Sequence, residues 1–115
     1  MQSPGRNATL TRGFQEELEL LGRHIRMLQF VERHGPVGII KLSKLLGVPK
    51  HKVRYSLRIL EQAGYIAPSA QGARATEKVH TFLEQVESML KDVKHQVDDL
   101  AASVQKPPQE TARYN

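Results

Sequence analysis

The chain's 115 residues give room for one domain with a single hydrophobic core plus an appendage, and too little for two domains of ordinary size. With no Cys or Trp and only three Phe and three Tyr, the core must be aliphatic, and disulfides, thiolate-bound zinc and a cysteine nucleophile are excluded. The net charge of +5 sits in the middle of the chain: between 36 and 76, Lys41, Lys44, Lys50, Lys52, Arg54, Arg58 and Arg74 face one acid, Glu61, whereas 77–104 carries six acids against three lysines.

A basic segment beside an acidic one predicts a polyanion-binding module joined to an element with another task. No stretch approaches the roughly 18 apolar residues of a membrane span, and MQSPGRNATLTRG lacks the apolar run of a secretory signal. The expectation is a cytoplasmic protein that does not engage membranes.

In chain order, residues 1–13 mix Ser, Pro, Gly, Asn and Thr and read as a flexible arm. From Phe14 the apolar residues Phe14, Leu18, Leu21, Ile25 and Leu28 fall at alternating steps of four and three, which predicts a helix to about His34, ended by Gly35-Pro36. A short helix over Ile39–Leu46 follows, with Ile39, Leu42, Leu45 and Leu46 inside and Lys41 and Lys44 outside. Gly47 stops it. The next helix opens with Pro49 in its first position, buries Val53, Leu57 and Leu60, and ends at Gly64. Tyr65-Ile66-Ala67 and Ala73-Arg74-Ala75, flanking a turn over Pro68–Gly72, read as a short hairpin. Thr76 is suited to cap a last helix that meets no Gly or Pro before Pro107-Pro108 and so reaches about Gln105, a length of ~43 Å at 1.5 Å per residue. A polar tail, 106–115, completes the chain.

The main functional signal is the pair of short helices joined across Leu46-Gly47-Val48-Pro49. Gly47 supplies the positive φ that such a turn requires, and Val48 is placed to plug the angle between the helices. With Val53, Leu57 and Leu60 turned inward, the second helix presents His51, Arg54, Tyr55 and Arg58 as one outward stripe, flanked by Lys50 and Lys52. A stripe of this kind suits the major groove of DNA, where Arg grips guanine O6 and N7 in a bidentate fork and Lys neutralises phosphate.

The run Leu46 to Ile66, LGVPKHKVRYSLRILEQAGYI, resembles the winged helix-turn-helix regulators of bacteria and archaea at Gly47, Val48, Val53, Leu57, Leu60, Glu61, Gly64 and Ile66, and the likeness extends over residues 25–76. The resemblance implies a mainly α fold, with a three-helix core, a short hairpin as the wing and a long coiled-coil-like C-terminal helix. It also implies DNA contacts at Lys50, His51, Lys52, Arg54, Tyr55 and Arg58, with Lys41 and Lys44 beside them and Arg74 on the wing. The wing's tip, Ser69-Ala70-Gln71-Gly72, is nearly uncharged, which argues against deep insertion into a minor groove.

The domain reading is therefore an arm (1–13), a DNA-binding domain (14–76), a dimerisation helix (77–105) and a tail (106–115). Within the third part, Val79, Leu83, Val86, Leu90, Val93, Val97, Leu100 and Val104 keep the four-three alternation, and Phe82 and Met89 widen it near its start. A seam this long needs a partner helix, and a second copy is the expected one. Leu at a and Val at d in the early heptads invert the preference of parallel two-stranded coils, so the expected pairing is antiparallel or splayed.

No two of the five His have the i, i+4 spacing of a zinc face, and there is no Gly-rich phosphate loop or nucleophile elbow. Neither catalysis, nor a metal, nor a cofactor is expected. Any effector pocket would have to form between the first and last helices. The sequence thus points to a homodimeric, sequence-selective regulator that binds double-stranded DNA. A non-selective architectural DNA protein and a winged-helix docking adaptor are the alternatives.

Overall fold

The computed structural model describes residues 9–108 and 110. It is mainly helical, with helices α1 (Thr9–His34), α2 (Ile39–Leu46), α3 (Lys50–Gln62) and α4 (Lys78–Ser103), and one antiparallel hairpin of β1 (Ile66–Ser69) and β2 (Gly72–Ala75) between α3 and α4. None of these helices is long and apolar enough to cross a membrane. The chain divides between Thr81 and Phe82 into two units, and the first holds α1 to β2 with the opening turn of α4.

α1 starts at Thr9, five residues ahead of the periodic run, because Thr-Leu-Thr-Arg contains nothing that blocks a helix and Gly13 weakens one without ending it. The expected arm of residues 1–13 is therefore helical over 9–13, and residues 1–8 lie outside the described part. The apolar face of α1 is covered only toward its C-terminus: Met27, Leu28 and Val31 are fully buried, whereas Phe14 and Leu18 are exposed. Gly35 (φ +70°) and Pro36 end the helix as expected.

Between α1 and α2 lies a contact that periodicity does not reveal. Val37 pairs with Ala73 of β2, its N–H donating to the Ala73 carbonyl at 3.0 Å and its carbonyl accepting the Ala73 N–H at 2.8 Å. This places a third backbone segment beside the hairpin and explains why β1 extends through Pro68 and Ser69, which had read as turn. Pro68 stands opposite Ala73, whose N–H and carbonyl are both engaged by Val37, so the ladder asks for no N–H from Pro68. The turn shrinks to Ala70-Gln71, and the Ser69 hydroxyl donates to the Gly72 carbonyl at 2.7 Å.

α2 buries Leu42 and Leu46 and ends at Gly47, whose left-handed φ of +69° lets its N–H donate back to the Ser43 carbonyl at 2.9 Å. The Ser43 hydroxyl donates to the Val48 carbonyl and fixes the turn. Pro49 is the cap of α3 rather than its first helical residue, and its carbonyl accepts the N–H groups of Lys52 and Val53 at 3.1 and 3.2 Å. α3 turns Val53, Ser56 and Leu60 inward. Ser56 is fully buried yet satisfied, because Nε of Arg23 on α1 donates to its hydroxyl at 2.9 Å and ties the two helices together.

At the hairpin's open end the Thr76 hydroxyl donates to the Gly64 carbonyl at 2.7 Å and accepts the Lys78 N–H at 3.3 Å, so a single side chain closes the hairpin and starts α4. The core of this unit is aliphatic: Met27, Leu28, Val31, Val37, Leu42, Leu46, Val53, Leu60 and Ile66 are all buried.

α4 ends at Ser103, two residues before the expected Gln105. Its apolar seam is not uniformly available to a partner. Val79 is 0% and Val86 7% exposed. Phe82, Leu83, Leu90 and Val93 are half-buried, while Met89, Val97, Leu100 and Val104 are exposed, the last two at 66% and 82%. Its ion pairs, Glu87 with Lys91 at 3.5 Å and Lys94 with Asp98 at 3.2 Å, join exposed groups one turn apart and contribute little to stability.

Candidate functional site

The turn at Gly47 and the inward set Val53, Ser56 and Leu60 fix which side of α3 faces water. At 100° per residue, His51, Arg54, Tyr55 and Arg58 fall opposite that set, and all four are exposed. Lys50 and Lys52 flank the stripe and are exposed as well. Tyr55 is 50% exposed in the middle of this cationic strip, with its ring available as a flat apolar contact and its hydroxyl as a donor or acceptor.

Lys41 and Lys44 on α2 and Arg74 on β2 are exposed too, so all nine residues expected to contact a polyanion reach the surface of one compact unit. None of the nine is held in an ion pair among the described residues. Glu61, the one acid of this basic segment, stands one turn beyond Arg58 at the C-terminal end of the stripe. It lines, with Leu57, a groove toward Pro68, Ser69 and Gln71 of the hairpin. A residue missed at the level of sequence is Ile40, next to Lys41 and 59% exposed, an apolar group placed among cations. Its neighbour Ile39 carries the same periodic signal, so pattern alone does not tell which of the two points outward.

The only buried side-chain polar atom without a hydrogen-bond partner among the described residues is Nε2 of His24 on α1. Burial holds the His24 pKa below its usual value, and the positive charge of Arg23 lowers it further, against a smaller opposing effect of Glu17. Among the described residues no three His, Asp or Glu side chains come together as metal ligands.

Compared with known proteins, the chain matches no protein-family model and no curated sequence. The case for its function therefore rests on the geometry of α2, α3 and the hairpin.

Proposed function

We propose that the chain is a sequence-selective regulator that binds double-stranded DNA through a winged helix-turn-helix and acts as a homodimer. The observation that carries this reading is that every Lys and Arg between 36 and 76 is exposed and unpaired on one folded unit, with four potential base-contacting side chains aligned along α3. In the proposal α3 enters the major groove. Arg54 and Arg58 supply planar forks for guanine, His51 and Tyr55 add adaptable donors and acceptors, and Lys41, Lys44 and Lys50 meet phosphates. The hairpin serves as the wing, with Arg74 on the backbone and the uncharged Ala70-Gln71 tip too short of cations to occupy a minor groove.

The exposed edge of α4 and the residue just after it support self-association, because Val97, Leu100 and Val104, at heptad spacing, and Met89 beside that seam are left in water in the single chain. Two reading helices related by a two-fold axis would match an inverted repeat with half-sites about 34 Å apart or a multiple of it.

The test is selection of binding sites from randomised duplexes, followed by titrations at several salt concentrations. A preferred palindromic site is expected, with R54A and R58A relaxing base preference and K50A mainly flattening the salt dependence. Strongly salt-dependent binding with no preferred site would instead favour an architectural DNA protein. Absence of duplex binding at low salt would favour a docking adaptor.

A further inference from the structure

The two sides of α3 differ in charge. The groove on the hairpin side has no cation in its lining and contains Glu61. The groove on the α1 side is lined by Arg23 and Arg26 of α1 and Lys52 of α3 against one carboxylate, Glu19. We infer that this second groove holds a backbone phosphate of the same duplex that α3 reads, with Arg23 and Arg26 as DNA contacts supplied by α1. The inference rests on the proposed DNA-binding function.

Three features of the groove fit a phosphate. Lys52 is one helical turn from exposed Tyr55 and one turn from buried Ser56, so it joins the outward stripe of α3 to the groove. Arg23 is anchored by its Nε–H to the Ser56 hydroxyl at 2.9 Å, which fixes the plane of the guanidinium. Its terminal nitrogens form no hydrogen bond or ion pair among the described residues, and neither do Arg26 and Glu19. A guanidinium held at one edge with its remaining donors unused is pre-ordered for an anionic oxygen.

The third feature is Gly22, in the same lining and in the interior of α1, where glycine weakens a helix. The fold does not need it there: a Cβ would meet nothing within 4 Å, and φ is not positive. What the missing side chain provides is an open floor between the cations, through which a bulky tetrahedral anion reaches the Arg donors.

The experiment uses the full chain and a duplex carrying its selected site, titrated from about 50 to 200 mM KCl with wild type, R26Q and G22E. Arg26 is exposed and the Gly22 position is open, so both variants should melt cooperatively near the wild-type temperature. Loss of one phosphate contact should reduce the magnitude of the slope of log K against log salt by about 0.9 in R26Q. The same or a larger reduction is expected in G22E, where a carboxylate enters the groove, with base preference retained in both. Wild-type slopes in both variants would overturn the phosphate assignment while leaving DNA binding intact. Loss of base preference in R26Q would overturn it too, by making Arg26 a base reader. Failure of wild type itself to bind duplex at the lowest salt would remove the underlying DNA reading, and is recognisable because it precedes any variant.

Discussion

Replacement of Gly72 by Ala should be among the most damaging single-methyl changes available to this chain. Gly72 has φ +125°, a conformation that L side chains rarely adopt, and an ideal Cβ there would lie 2.6 Å from the Val37 carbonyl carbon, 2.7 Å from its oxygen and 2.9 Å from the Gly38 nitrogen. These are backbone atoms, so no rotamer change relieves the overlap. Forcing a non-glycine residue into such a region costs about 1–3 kcal/mol. Restoring an ordinary 3.4 Å contact requires Val37 to retreat by about 0.8 Å, enough to compromise the pair of bonds at 3.0 and 2.8 Å that join it to Ala73. Each of those bonds contributes about 1 kcal/mol net. The expected loss is therefore about 3–5 kcal/mol, a large part of the 5–15 kcal/mol typical of a domain, and at about 4–8 °C per kcal/mol it lowers Tm by roughly 12–40 °C. Thermal and urea unfolding followed by far-UV circular dichroism would measure it, with G13A as a control, since a Cβ at Gly13 meets nothing within 4 Å. A G72A midpoint within a few degrees of wild type would refute the claim that Val37 and β2 are in obligate backbone contact.

Ser56→Ala strips Arg23 Nε of its buried acceptor and should cost about 1–2 kcal/mol in chemical denaturation; no change would mean that the cross-helix bond is energetically idle. Because the folded-state pKa of His24 is lowered, the unfolded chain takes up its proton first as pH falls. The stability this group contributes is then complete above its unfolded value of 6.5 and declines below it. His24→Leu should accordingly flatten the dependence of the urea midpoint on pH between about 7 and 5 relative to wild type, and parallel curves would count against a buried neutral imidazole. For the dimer, the double substitution L100E/V104E changes only exposed positions at the end of α4 and just beyond it, and should leave the melting of the first unit unchanged while shifting sedimentation from dimer to monomer at tens of micromolar. A wild-type protein that already sediments as a monomer there would dispose of the self-association proposal.

Much of this architecture is legible in the order of residues, and the reasons differ by element. The bounds of α2 come directly from Pro36, the apolar spacing and Gly47, because a helix of two turns is defined by its stops. The outward stripe of α3 is equally readable, since Val53 and Leu60 at helical spacing determine what faces away from them, although the third inward residue is Ser56 and the expected Leu57 is only half-buried. What escapes are pairings distant along the chain: Val37 with Ala73, which lengthens β1 through a proline, and Arg23 with Ser56, 33 residues apart. A local pattern contains no information about either.

The seam of α4 shows a related limit. Val79 and Val104 carry the same heptad signal, yet one is fully buried and the other 82% exposed, because periodicity marks a face without saying what covers it at each level. On α1 the same holds for Leu28, which is sealed, and Phe14, which is not.

Thr76 has a mechanical meaning beyond its hydrogen bonds. With its hydroxyl oxygen engaged on one side by Gly64 and on the other by the first N–H of α4, and its own N–H donated to the Tyr65 carbonyl at 3.0 Å, this residue is a rivet through which displacement of the helix origin must be felt at the root of the hairpin. Replacing it with valine would keep the bulk and the backbone bond to Tyr65 but remove both hydroxyl links, to the Gly64 carbonyl and to the Lys78 N–H.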